Sequence, residues 1–278
     1  MRLWLDGALV VESDARVSPT DHGLLVGDGV FETLRIYDGV PFAWRRHYER
    51  MTHSAAGLAL TVPDSSTLRA AGDAVVEANA LREGRLRLTV TGGPSPLGSE
   101  RGDANPTVIV AASALKPWPP VQSIVTVPWP RNERGATAGM KTISYAENVR
   151  ALVFAHEHGA SEALFCNTRG ELCEATGSNL FVVVSDTVLT PPADAGCLLG
   201  VTRALVLELA LELGIAAEER ALEPDVLGQA DETFLTSSTR EVQAIGSIDD
   251  HTYADAPGPI TKQLAAAFTK LVASNPDP

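Results

Sequence analysis

The chain has 278 residues, with 22 Lys and Arg against 35 Asp and Glu, a formal charge of −13. So acidic a chain is repelled by phosphate backbones and anionic bilayers, which argues against nucleic-acid and membrane-surface roles. Hydrophobic residues at 45% and charged residues at 21% supply a core and exclude a disordered chain, and three cysteines without a CxxC pair suggest neither a disulfide framework nor a zinc site.

Arg2–Leu5 and Ala8–Val11 read as strands around an Asp6-Gly7 hairpin turn. The charge and turn this early deny the N-terminus the apolar core of a signal peptide, so a cytoplasmic, reducing compartment is expected. Cys166 and Cys173 are close enough in sequence to pair, but a buried reduced thiol is the commoner reading. Val30–Tyr37 reads as a strand, Arg45–Gly57 and Asp64–Asn79 as helices with Asp64 as an N-cap, and Arg85–Thr91 and Thr107–Ala112 as strands. The prolines of Lys116–Pro120 and Pro128–Pro130 suit neither helices nor central strands. They mark a linker around a short strand, Ser123–Val127, and place a domain boundary near residue 118.

Beyond it, Tyr145–His156 reads as a helix, with Ser144 and Glu147 as a capping box. Short strands follow at Ala163–Cys166, Glu171–Glu174, Leu180–Val184 and Val188–Thr190. Thr202–Leu213 is a helix ending at Gly214, Glu232–Thr236 a strand and Thr261–Val272 a final helix. The class is α+β in two domains, 1–118 and 119–278.

The six histidines show no HExxH spacing, and His156 and His158 fall on different faces of a helix, so no metal site is expected. Neither GxSxG nor a Walker A loop occurs, and Gly98–Gly102 reads as a plain loop. Four features remain. Lys141 sits in an irregular stretch, Gly139-Met-Lys141-Thr-Ile-Ser-Tyr145, with no neighbouring charge before Glu147. A lone lysine is usually a solvated cation, but one on a rigid element beside apolar surface is the kind whose amine can form a Schiff base. Glu174 ends a strand before the tight turn that leads to Asn179 and Phe181. Gly200-Val-Thr-Arg203 opens a helix whose N–H groups suit a phosphate, and Phe234–Val242 holds a hydroxyl-rich turn. Each has a bland reading, as a surface turn or an ordinary helix start. In this order, an amine, a carboxylate and two phosphate cups are the parts needed to hold pyridoxal phosphate.

With these motifs the chain resembles the class IV pyridoxal-phosphate enzymes of fold type IV, which include D-amino acid and branched-chain aminotransferases, (R)-selective amine transaminases and 4-amino-4-deoxychorismate lyase. The likeness begins at Asp6-Gly7 and runs through Asp21–Arg35, His47–Met51, the Lys141 stretch, Glu174–Phe181, Gly200–Arg203 and Ala230–Val242. It implies a small N-terminal α/β domain and a larger pseudo-barrel α/β domain that carries the lysine and shares the cofactor with the small one. It also implies a homodimer acting on small-molecule substrates, amino acids and keto acids.

The resemblance makes Lys141 the Schiff-base lysine and proton shuttle, and Glu174 the partner of the pyridine nitrogen. It assigns the phosphate to Arg50, Val201, Thr202, Ser237 and Ser238, the ring face to Leu198 and the ring phenolate oxygen to Tyr145. Asn179 joins this cofactor set. From the residues alone Arg50 reads as a solvated helix charge, with Arg45 and Arg46 as alternatives; only the family pattern promotes it. On the substrate side stand Phe31, Arg35, Gly92 and Thr239. The arginine that D-amino acid enzymes carry in the Val90–Pro96 stretch is absent here, which leaves Arg35, Arg101 and the amides around Ser238 and Thr239 as carboxylate anchors. Phe31-Glu-Thr33 replaces the Phe-Glu-Gly of branched-chain enzymes. The expected reaction is transamination of a D-amino acid or (R)-amine, with the lyase as the alternative and a branched-chain L-amino acid enzyme behind it. An acidic shell is then expected to enclose a locally positive pocket.

Overall fold

A computed structural model describes residues 1–278. The chain divides into two units, one formed by Met1–Lys116, Met140–Tyr145 and Asn275–Pro278, the other by Pro117–Gly139 and Ala146–Ser274. Lys141, expected in the C-terminal domain, therefore groups with the N-terminal unit. The cause is backbone pairing: Phe31 N donates to Lys141 O (3.1 Å) and Ile143 N to Gly29 O (2.9 Å).

The first unit contains β1 (Arg2–Leu5), β2 (Ala8–Val11), a helical turn α1 (His22–Leu25), β3 (Gly29–Tyr37), β4 (Val40–Pro41), α2 (Trp44–Gly57), α3 (Ser65–Ala78), β5 (Gly84–Thr91) and β6 (Val108–Ser113). Its strands form an antiparallel sheet in the order β2-β1-β6-β5-β3-β4. Alternation sends Val30, Leu34, Ile36, Leu86, Leu88, Val90, Val108 and Val110 to one face, where they pack with Met51 and Ala55 of α2 and Leu68 and Val75 of α3. The opposite face takes Phe31, Thr33 and Arg35 from β3 and Arg85, Arg87 and Thr89 from β5. Asp64 caps α3 as expected, accepting from Thr67 N at 2.8 Å. Helix α2 has Ala43 at its N-cap, with a left-handed φ of 54° and no side-chain cap. Its open N–H groups are served instead by the distant tail: Ala43 N donates to Pro276 O (2.8 Å) and Arg45 N to Asp277 Oδ1 (2.9 Å).

The second unit contains β7 (Val121–Thr126), α4 (Ala146–Glu157), β8 (Glu162–Cys166), β9 (Leu172–Ala175), β10 (Asn179–Val184), β11 (Thr187–Thr190), α5 (Val201–Glu212), β12 (Ala217–Glu219), β13 (Glu232–Ser237), β14 (Glu241–Ile248), β15 (His251–Thr252) and α6 (Pro259–Ser274). Its sheet runs β12-β11-β10-β13-β14-β7-β8-β9, with β15 beside β14. The β11–β12, β14–β7 and β7–β8 pairs are parallel and the rest antiparallel. Ile124, Leu164, Leu180, Leu235 and Ile245 anchor one core, and Val127, Ala151, Ala155 and Phe165 a second with Trp129 and Phe154. Helix α5 packs on β13 and α6, and α6 on β14. The expected capping box at Ser144 does not form. The helix starts one residue later, at Ala146, and the Ser144 hydroxyl donates to Gly27 O at 2.9 Å. No helix is long and apolar enough to cross a membrane. All three cysteines are free, and burial raises the pKa of each, Cys197 to about 12.

Candidate active-site residues

In the first unit, Glu32 leaves the helix-facing side of β3 and is fully buried against α2. His47 and Arg50, one turn apart on α2, converge on it. Arg50 donates from Nε to Oε1 (2.8 Å) and from Nη2 to Oε2 (2.7 Å), and His47 Nδ1 lies 2.7 Å from Oε2. Burial by itself raises the Glu32 carboxyl; the charges and hydrogen bonds of Arg50 and His47 outweigh it and hold the group far below the usual carboxylate range. Burial lowers the His47 pKa. Glu32 opposes this, while Arg50 and Lys141 add to it. An ionised carboxylate only accepts hydrogen bonds, so His47 carries its proton on Nδ1. Arg45 and Arg46, the alternatives to Arg50, are engaged with the tail: Arg45 Nη2 donates to Pro278 O (3.2 Å) and Arg46 Nε to the same oxygen (2.8 Å).

The Lys141 segment is held at three points. Its N–H donates to Ser54 Oγ of α2 (3.0 Å), its carbonyl accepts from Phe31, and Met140 rests so close against Gly57 that an added Cβ would collide with Met140 Cε. Lys141 Nζ comes 4.3 Å from the centroid of the buried Phe31 ring, which Tyr145 meets edge-on at 5.1 Å. Arg87 covers the same ring at 3.7 Å. Strand register explains the approach, since Arg87 opposes Thr33 and lies diagonal to Phe31. Its Nε donates to Thr89 Oγ1 (3.2 Å) and it pairs with no carboxylate. The expected anchors are committed elsewhere: Arg35 to Glu83 (2.9 Å), and Arg101 to Asp28 through two 2.6 Å contacts. Gly92 also packs on Asp28, with its N–H on the Asp28 carbonyl (3.0 Å). Sequence reading missed Arg87, although alternation along β5 already turns it away from the core.

In the second unit, Glu174 at the end of β9 is buried and receives Arg131 Nη1 (2.6 Å), Leu198 N (3.1 Å) and Asn179 Nδ2 (3.4 Å). Asn179 Nδ2 also donates to Leu198 O (2.7 Å), so Glu174, Asn179 and Leu198 form one group. Arg131, unforeseen in the sequence, stacks over Phe165 at 4.0 Å and reaches Asn148 Oδ1 at 2.9 Å. Helix α5 opens at Gly200 with no side-chain cap, and Val201 and Thr202 are buried there. A Cβ at Gly200 would collide with Asn179 Oδ1. The buried hydroxyls of Ser178 and Thr236 lack partners, and Thr236 is in register with Asn179. Ser237 ends β13, and Ser238 and Thr239 lie on the turn that follows it to β14.

Residues 29–248 match the family model for amino-transferase class IV. Over 279 residues the chain is 34% identical to the D-alanine aminotransferase of Bacillus licheniformis, covering 99% of this chain and 98% of that one. It is 30% identical over 280 residues to the aminodeoxychorismate lyase of Bacillus subtilis (strain 168), covering 97% and 94%. The crystal structure of the T.th. branched-chain amino acid aminotransferase with pyridoxamine 5′-phosphate superposes with a TM-score of 0.91 at 27% identity, over 98% of this chain and 93% of that one. The architecture is fold type IV, that of pyridoxal-phosphate-dependent enzymes. The chain belongs to the class IV aminotransferases.

Proposed function

We propose that the chain is a pyridoxal-phosphate-dependent aminotransferase that moves the amino group of an amino acid, with a D-amino acid or (R)-amine preference, to a 2-keto acid. The observation that carries this reading is the pairing of Lys141 Nζ and the carboxylate-free Arg87 on one aromatic ring, at 4.3 and 3.7 Å. A lysine amine and a guanidinium without a carboxylate partner, both held on the Phe31 ring, suit an amino acid, which brings a carboxylate next to its reacting carbon.

The donor set fits the cofactor. An uncapped, buried helix start at Gly200–Thr202 and the partnerless hydroxyls of Ser178 and Thr236 are what a bound phosphate satisfies. In this reading Arg50, Val201, Thr202, Ser237 and Ser238 hold the phosphate, Leu198 packs on the ring and Tyr145 hydrogen-bonds its phenolate oxygen. When bound, pyridoxal phosphate supplies an electron sink for the charge left on the substrate Cα. Glu174, with Arg131 on its other oxygen, presents a carboxylate to the ring nitrogen and keeps a proton there. Lys141 anchors the cofactor, accepts the Cα proton at Nζ and redelivers it. Glu32 and His47 orient the Arg50 guanidinium, and Arg87 replaces Arg35 and Arg101 as the carboxylate anchor.

The lyase is the second reading, supported by the relative of that name and by the absence from the Val90–Pro96 stretch of the arginine expected of D-amino acid enzymes. A panel of D- and L-amino acids, (R)-amines and aminodeoxychorismate decides between them. Amino transfer from a D-amino acid or (R)-amine supports the proposal. Pyruvate release from aminodeoxychorismate without transamination replaces it with the lyase, and transfer from branched-chain L-amino acids reverses the stereochemical part. Arg87→Ala is expected to raise KM for the carboxylate substrate about tenfold or more, the loss of one charge-assisted contact. An unchanged KM removes Arg87 from this role. We also propose a homodimer: Leu24, Leu25, Val26 and Leu97 are exposed apolar residues near the His22 turn, and light scattering reads the mass directly.

A further inference from the structure

Glu162, the first residue of β8, and Arg240, the last residue of the turn before β14, form a buried ion pair at 3.0 Å, their side chains 3% and 6% exposed. Each partner reaches toward a different group of proposed cofactor residues within the same unit. Glu162 Oε1 accepts from Ala163 N (3.1 Å), from Thr176 N (3.3 Å) and from the Thr176 hydroxyl. Thr176 stands two residues after Glu174, and its carbonyl accepts from Asn148 Nδ2. Asn148 Oδ1 takes Arg131 Nη2 at 2.9 Å, and Arg131 closes the chain on Glu174.

On the other side, Arg240 N donates to Ser237 Oγ (3.2 Å) across the turn. Arg240 Nη1 donates to Gln243 Oε1 (2.6 Å), Gln243 Nε2 to Pro119 O (2.8 Å), and the guanidinium lies 3.9 Å over the Trp118 ring. Glu241, next in the chain, has a left-handed φ of 58°. A non-glycine residue keeps that conformation where its surroundings hold it. A buried ion pair adds little stability beyond what apolar residues of the same size supply, so its use here calls for a positional reason.

We propose that Glu162 and Arg240 are positioning residues that lock the Ser237–Arg240 turn to the strand end carrying Glu174, and so align the turn's donors for the cofactor phosphate. This rests on the proposed phosphate role of Ser237 and Ser238. Neither residue of the pair touches the cofactor; both act through the turn.

The test compares the affinity of the full chain for pyridoxal phosphate and for phosphate-free pyridoxal, read by fluorescence quenching, in wild type and in Glu162→Gln. The wild type is expected to favour the phosphorylated form strongly. Glu162→Gln is expected to cut that preference by about tenfold or more while leaving pyridoxal affinity unchanged. A loss shared equally by both ligands is the mark of a merely structural role and overturns the proposal, as does an unchanged preference. A wild type without preference overturns the phosphate reading itself, which is a separate result. Where the single variant fails to fold because Arg240 is left buried and unpaired, the double variant E162Q/R240Q carries no unpaired charge and is read by the same ratio.

Discussion

Glu32→Gln tests the electrostatics at the base of α2. The carboxylate is fully buried and holds Arg50 through two hydrogen bonds and His47 through a third. Glutamine keeps the shape and one acceptor oxygen but turns an NH2 toward groups that are themselves donors. Removing one partner of a buried pair costs about 3–5 kcal/mol, and the slight exposure of the Arg50 side chain, 13%, places the expected loss near the lower bound, about 3 kcal/mol. For a chain of this size that corresponds to a fall in Tm of roughly 6–12 °C at pH 7. The sign of the pH dependence follows from the shift. Glu32 is depressed in the folded state, so its stabilisation is complete above the unfolded value of about 4.3 and is lost as pH falls toward the folded value. His47 is also depressed. The wild type therefore begins to lose stability below about pH 6.5, as the unfolded state takes up a proton the native state refuses. Thermal melts of cofactor-free wild type and variant from pH 8 to pH 3 should show a gap that is widest near neutrality and shrinks below about pH 4. A gap under about 1 °C at pH 7, or one that does not change with pH, refutes the reasoning.

Lys141→Ala should abolish the covalent attachment of cofactor that borohydride fixes in the wild type; a labelled peptide from elsewhere in the chain refutes the assignment. Glu174→Gln should retain cofactor but slow turnover by about a hundredfold or more, since a neutral amide no longer holds the ring proton; near-normal rates in stopped flow remove Glu174 from that role. Asp277→Ala deletes the cap that the tail lends to α2 and should cost about 1 kcal/mol, a Tm fall of roughly 2–4 °C. An unchanged melt shows that Pro276 O alone suffices.

What the sequence disclosed was local. The β1–β2 hairpin and the Asp64 cap of α3 were legible because turn and cap act over two or three residues. Strand β14 was not, because Gln243 and Gly246 interrupt its apolar pattern for tertiary reasons. Gln243 donates to Pro119, and at Gly246, where the pairing with β7 shifts register, an added Cβ would stand 2.7 Å from Val121 Cγ1. The helix after Lys141 was foreseen, but Ser144 was given the wrong partner because nothing local reveals that β3 annexes residues 141–143. Arg87 and Arg131 escaped notice for the same reason: Phe31 and Glu174, the groups that give them meaning, lie 43 to 56 positions away in the chain. Glu32 stood inside a recognised motif without a role until α2 brought Arg50 and His47 to it.

The tail's grip on α2 also bears on the order in which the protein assembles. The hydrogen bond between Arg45 and Asp277 joins residues 232 positions apart. During synthesis the sheet strands and α3 emerge early, and the whole second unit follows before residues 275–278 appear. Until then the leading N–H groups of the helix that carries His47 and Arg50 have only water to accept from them. The unit translated first is thus completed late, and the segments carrying Lys141 and Asp277 bring contacts of long sequence separation, the kind that slow folding.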